Sequence, residues 1–194
     1  MIVQIKFNDG TNREAYFAWG SGNQLAFELV TGGAYSASVA TTAVFRDPSA
    51  WYHVVLAVDT TQATDTNRIK IYVNGVQQTI SSGYNTTLTW PSLNFDTAFN
   101  TANQFQLASY QGTGTFFDGY QAEMYWIDGQ ALTPSSFGQF NSTTGVWQPI
   151  KYAGTYGTNG FYLPFSNIAL TSGSNTGLGK DFSGNGNYWN TNNI

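Results

Sequence analysis

The sequence predicts an all-β antiparallel sandwich of the jelly-roll type with one short helical turn. Short runs that alternate apolar with polar residues recur along the chain, and Gly, Asn-Gly and Asp-Gly turns separate them. Aromatic residues make up 16% and charged residues only 9%. The solvent side must therefore be built from Thr, Ser, Asn, Gln and Gly, while aromatic and β-branched residues suit strands. The 194 residues suffice for one large β domain, or one domain with an appendage, and for a substantial core.

Val3, Ile5 and Phe7 alternate with Ile2, Gln4 and Lys6, a first strand stopped by Asn8-Asp9-Gly10. Residues 14–19 and 24–30 form two more around the turn 20–23, with Leu25, Phe27 and Leu29 inward and Ala26 and Glu28 outward. Residues 34–39 and 42–46 are further strands, the last ended by Asp47-Pro48 because proline cannot donate to a ladder. Residues 51–58 are apolar at nearly every position, the pattern of a strand buried on both faces. The polar run 59–67 is a solvated connection. In the next strand Ile69, Ile71 and Val73 face one way, and Arg68, Lys70, Tyr72 and Asn74 the other. Asn74-Gly75 tolerates positive φ and turns the chain into residues 76–80, closing a three-strand antiparallel unit.

Residues 81–103 are a long polar loop punctuated by Trp90-Pro91. Phe105 and Leu107 begin another strand, residues 112–115 turn, and residues 118–127 form a long strand. Asp128-Gly129 turns again, and residues 132–137 are a helical turn with Thr133 as N-cap and Pro134 at the first position. Phe161, Leu163 and Phe165 alternate as a last strand, where Pro164 fits only at an edge.

The composite "TTAVFRDPSAWYHVVLAVDTTQAT", the following "IYVNG" and the later "FFDGYQAEMYWIDGQALTPSSF" resemble laminin-G-like domains of the concanavalin A-like lectin/glucanase superfamily. The first of these is similar, more specifically, to laminin-G-like segments of bacteriophage structural proteins. The resemblance runs over about residues 41–140. "GKDFSGNGNYW" resembles what usually opens such a domain, yet here it comes last. It is either the start of a second module or a permuted first strand that packs back. Hence the expected division is a sandwich over residues 1–140 and a C-terminal arm over residues 141–194. What the resemblance implies is a non-enzymatic virion component (tail, fibre or decoration protein) with a lectin-like fold. Its implied partners are other virion proteins, further copies of itself through the aromatic arm (Trp147, Tyr152, Tyr156, Phe161), and a host-surface glycan. A stand-alone glycan-binding lectin module is the alternative, and a polysaccharide depolymerase the third reading.

The balance of charge excludes other classes. A net charge of −4 with seven scattered Lys and Arg argues against a groove that tracks phosphates, and so against nucleic acid. No apolar run approaches the roughly 20 residues of a membrane span, and the opening residues lack the basic and apolar regions of a secretory signal. Release within a virion needs neither. With no cysteine and one histidine, His53, neither disulfides nor a typical zinc site can form, and His53 reads as a packed strand residue. Glucanases of the resembled superfamily carry Glu-x-Asp-x-x-Glu on one strand, and this chain lacks it. Glu123 and Asp128 are the nearest approach, but their odd spacing sends them to opposite strand faces. Glu14, Glu28, Asp59 and Asp118 are isolated along the chain.

Two candidate sites remain. Tyr84, Trp90, Asp96 and Asn100 of the long loop offer ring faces and polar groups to a glycan. In the other reading Trp90, Leu93 and Phe95 seal the end of the sandwich. Asp59, Asp181 and Asn185 carry the oxygen donors that calcium takes, as many relatives under the resemblance do. The same Asx-Gly sequences also form turns without metal, and no cofactor is required.

Overall fold

Alternation at period two builds the larger sheet. The computed structural model describes residues 5–8, 13–20, 22–100, 104–110 and 114–191, and the strands are β1 (Ile5–Asn8), β2 (Arg13–Trp19), β3 (Leu25–Thr31), β4 (Ala34–Thr41), β5 (Val54–Val58), β6 (Ile69–Val73), β7 (Val76–Gln77), β8 (Ile80–Ser81) and β9 (Gln104–Leu107). Shorter strands follow: β10 (Ser109–Tyr110), β11 (Gly114–Phe116), β12 (Met124–Trp126), β13 (Gly138–Phe140), β14 (Trp147–Pro149) and β15 (Phe161–Leu163). Every pairing is antiparallel. The expected all-β sandwich is what forms, with three short 3₁₀ turns as the only helix among the described residues. Val3, Asp9, Gly10, Gly112 and Thr113 lie outside the described residues.

The chain divides into two compact units. One is Met1–Gly119 with Leu132–Lys151, the other Tyr120–Ala131 with Tyr152–Ile194. In the first, six strands order as β8-β4-β3-β2-β1-β9, and a second sheet orders as β5-β6-β7. Leu25, Phe27 and Leu29 are buried as expected, as are Ala15, Phe17, Ala37 and Val39 beside them. Each large apolar side chain contributes about 1.5–3 kcal/mol of transfer free energy. Phe99 stacks on Phe27 at 5.6 Å.

Several expectations need correction. Ala26 and Glu28 are buried, not outward, because residues from the long loop cover that face. Residues 42–46 are not a strand; Phe45 N–H is taken singly by the Asn23 carbonyl, and its own carbonyl accepts from Trp19 Nε1. Residues 51–53 are irregular, Trp51 is exposed, and β5 is half-buried rather than buried on both faces. In β6, Ile69, Ile71 and Val73 are buried as expected, but Tyr72 and the preceding Arg68 are buried too. The Arg68 guanidinium donates to the carbonyls of Gln62, Ala63 and Pro91, so it ties two loops instead of meeting solvent. Asn74 and Gly75 sit at φ 49 and 81, and the hairpin they turn pairs β6 with β7.

Residues 118–127 do not form one long strand. Only β12 is extended, since its partner β15 supplies three residues for pairing, and Tyr120 is left exposed. The helical turn at Pro134–Ser136 is present, but Thr133 makes no side-chain cap; its hydroxyl meets Ser135 Oγ at 2.9 Å. β15 stops at Leu163, and Phe165 has φ 54. The aromatics expected on an exposed arm are packed within their own units. Trp147 lies against Gly75 and Gly138, where any Cβ would come within 2.4 Å of its ring, while Tyr152 and Phe161 are buried.

Candidate functional site

The long loop is built onto β4, beside the two-residue edge strand β8. Ser81 pairs with Ala40, and Thr89 bridges Ser38 through backbone bonds of 2.9 and 3.2 Å. The chain therefore leaves β4 at one residue and returns to it two residues away. Between these points residues 82–88 lie over the second face of the sheet and reach Glu28 on β3. Glu28 stands between Tyr16 on β2 and Ser38 on β4 in the register. Its Oε1 accepts Tyr84 N–H at 2.6 Å and the Ser38 hydroxyl at 3.2 Å. Its Oε2 has no partner among the described residues. Burial pushes its pKa up to about 7, against the lowering effect of the two donors. Gly83 is required here, because a Cβ would sit 2.1 Å from Glu28 Oε1.

The loop is pinned elsewhere as well. Asp96 pairs with Arg13 at 3.1 Å, Asn94 N–H donates to the Thr60 carbonyl, and the Thr60 hydroxyl donates to the Phe95 carbonyl. The predicted ligand residues are thus held by different parts of the scaffold. Tyr84 is anchored at Glu28 by its backbone, and its ring lies against Gly20 with 50% of the residue exposed. Trp90 follows the Thr89 bridge and is half-buried. The Asp96 carboxylate is engaged by Arg13. Asn100 closes the 3₁₀ turn Ala98–Asn100. Leu93 is exposed and Phe95 half-buried. The result is an ordered loop that presents one ring, that of Tyr84, from a rigid base.

Two acidic residues that sequence spacing leaves isolated, Glu14 and Glu28, share one face of the sheet. Glu14 precedes Tyr16 by two residues on β2 and so shares the Glu28 face. The Tyr16 hydroxyl donates to Glu14. Sequence reasoning missed this pair because it crosses two strands, and only the register reveals it. Glu123 and Asp128 lie on no common strand: Glu123 accepts from two tyrosines, and Asp128 accepts from Asn159. His53 precedes β5 with Trp147 at 5.7 Å. Burial lowers its pKa and keeps the imidazole neutral.

The residues proposed for calcium hold turns. Asp59 accepts from the Thr61 hydroxyl and N–H and from Gln62 Nε2, which depress its pKa, the Thr61 hydroxyl most. Asp181 belongs to the other unit and is 3% exposed. Its Oδ1 accepts N–H from Tyr162 and Ser183, and its Oδ2 accepts the Ser183 hydroxyl and Asn187 N–H. Asn185 turns its amide N–H₂ onto the carbonyls of Gly157 and Gly160. With four hydrogen donors on Asp181 and an amide nitrogen where an oxygen is needed, these residues do not fit a calcium ion as arranged. Among the described residues no three His, Asp or Glu side chains gather as a metal site.

A laminin-G family model described as the concanavalin A-like lectin/glucanases superfamily matches residues 1–136. Neither the curated proteins nor the solved structures contain a match to the chain.

Proposed function

The chain belongs to the concanavalin A-like lectin/glucanases superfamily, and from that membership we propose that it is a non-enzymatic, lectin-like adhesion module of a bacteriophage virion, serving as a tail, fibre or decoration component. The observation that carries the binding half is the loop 82–88, which starts and ends on β4 and is latched to Glu28. It presents the half-exposed Tyr84 ring as a rigid apolar face, which is what a sugar ring stacks on. The virion half is supported by the similarity of "FRDPSAWYHVVLAVDTTQAT" to phage structural segments. Assembly with further copies of itself and with other virion proteins belongs to the same reading.

A depolymerase needs both carboxylates at one glycosidic bond. Glu28 is 0% exposed beneath the loop, so in the Glu14–Glu28 pair one member has no access to substrate. This supports binding without cleavage.

The test is binding of the purified protein to host cells and to their surface polysaccharide, with calcium and with chelator. Saturable binding in both conditions is expected, with no release of reducing ends. Tyr84→Ala removes the ring but keeps the backbone N–H that Glu28 holds, so it should weaken binding at least about tenfold while the melting temperature stays within a few degrees. Unchanged affinity in Tyr84→Ala overturns the site, and absence of the polypeptide from purified particles overturns the virion role.

A further inference from the structure

Glu28 is the buried point on which the loop 82–88 closes, and its surroundings suit a neutral carboxyl better than a charged one. In the register one row crosses the sheet as Lys6 on β1, Tyr16 on β2, Glu28 on β3 and Ser38 on β4. Direct cross-strand partners share a face. On the β2 side the titratable groups are Tyr16 and Glu14, and the Tyr16 hydroxyl donates to Glu14. Arg13 alternates with Glu14, so it is directed to the other face, where it pairs with Asp96. Lys6 takes the position beyond Tyr16, two strands from Glu28, about 10 Å at the usual strand spacing. On the β4 side Ser38 brings a hydroxyl, and Tyr84 is the one titratable residue of the loop.

The donors are unevenly placed. Oε1 takes both the Tyr84 N–H and the Ser38 hydroxyl, whereas Oε2 has no partner among the described residues and Glu28 is 0% exposed. Ionisation therefore spreads charge onto an oxygen that neither water nor a donor meets, which is the costly case for a buried acid. The loop seats closely: a Cβ at Gly83 would lie 2.1 Å from Glu28 Oε1 and 3.0 Å from the Val39 nitrogen. Yet its roots, at Ser81 and Thr89, bond to β4 independently of Glu28. Lifting residues 82–88 gives up the Tyr84 N–H bond and the 3.5 Å contact of the Ser38 hydroxyl with the Asn85 carbonyl. In return the carboxylate reaches water while the register of the sheet is kept.

We propose that the protonation state of Glu28 gates the loop 82–88, a neutral carboxyl holding it closed with the Tyr84 ring fixed and an ionised one favouring an open loop. Its consequence for glycan binding rests on the reading of Tyr84 as the stacking ring; the movement of the loop does not. The sign follows from burial, which raises the closed-state pKa from 4.5 to about 7. The closed loop is therefore favoured most below about 4.5, loses ground as pH rises, and reaches a constant disadvantage above about 7.

The experiment is amide hydrogen exchange of the full chain from pH 4 to 8, with each rate divided by its intrinsic value to give an opening constant. At Tyr84 this constant should rise at least about tenfold between pH 5 and 7 and level off above. It should also exceed that of Phe27, which lies buried in the middle of the sheet. Glu28→Gln should make the Tyr84 constant flat over the same range. A flat constant at Tyr84 in the unaltered chain overturns the proposal. So does a constant equal to that of Phe27 at every pH, since the loop would then open only with the whole sheet. Both readouts use the unaltered chain and hold even where Glu28→Gln fails to fold. Affinity for host polysaccharide, measured alongside, separates the two readings. A pH-dependent opening with no glycan bound at any pH supports the gate and overturns the glycan site, while glycan binding with a flat opening constant overturns the gate alone.

Discussion

Glu28 and Asp181 are both buried carboxylates that fasten a polar loop, one in each unit, and they titrate on opposite sides of the ordinary carboxylate value. Burial alone pushes each of them upward. Glu28 is met by two donors, both on Oε1, and burial wins, leaving it near 7. Asp181 is met by four donors spread over both oxygens, and these outweigh burial to depress it. The number and placement of donors, set against the desolvation of each group, decide whether a buried carboxylate favours its charge. The same difference marks Glu28 as a fastening under tension and Asp181 as a permanent one.

Removing the saturated carboxylate should have the largest effect. Asp181→Ala strands the N–H groups of Tyr162, Ser183 and Asn187, and a loss of about 3–5 kcal/mol is expected in urea unfolding. Faster amide exchange at these three positions should accompany it. A loss below about 1 kcal/mol would break the comparison.

The pH response is next in size. The folded pKa of Glu28 is raised from 4.5 to about 7, so its contribution is complete below about 4.5 and disappears as pH rises through about 7. The shift corresponds to roughly 3 kcal/mol as an upper bound. Asp181 acts in the opposite sense, because its folded pKa lies below 3.8. Its contribution is present above that value and is lost as pH falls through the folded pKa. Denaturation midpoints across pH 4–8 should therefore fall on the alkaline side, and Glu28→Gln should flatten that limb while sparing the acid one. An unchanged alkaline limb in Glu28→Gln would show that another group carries it.

The smallest effect sharpens the comparison by taking depth away. Asp59 has donors like those of Asp181 but lies at a solvated turn. Asp59→Ala should cost less than about 1 kcal/mol by thermal unfolding. A larger loss would mean that donors stabilise as strongly in solvent as in the interior.

What could be read from the sequence follows the range of the interactions involved. The strand through Leu25–Leu29 with Leu25, Phe27 and Leu29 inward, the Asn74-Gly75 turn and the Pro134 helical turn are local, and each is found in place. Glu28 was misread because its neighbours on β3 say nothing of residues 82–88, which arrive from more than fifty positions away to cover it. The long strand expected at residues 118–127 had the right alternation but only a three-residue partner in β15. Tyr84 was found as a candidate from loop composition alone. Its latch, and the Gly83 that makes room for it, belong to tertiary structure. The packing of Tyr125, Tyr152 and Tyr156 against one another was equally hidden, since they come from distant positions and the sequence suggested an exposed arm.

Both roots of the loop 82–88 lie on β4, at Ala40 and Ser38. Apart from Gly83 and the Tyr84 N–H that latch it to Glu28, a closed excursion of this kind can be lengthened at little entropic expense, about 0.6 kcal/mol for each doubling, because neither root moves. The paired roots also occupy backbone groups that a bare edge strand would offer to other chains. The outer residues of the loop can therefore vary while the register of the sheet beneath it is inherited unchanged.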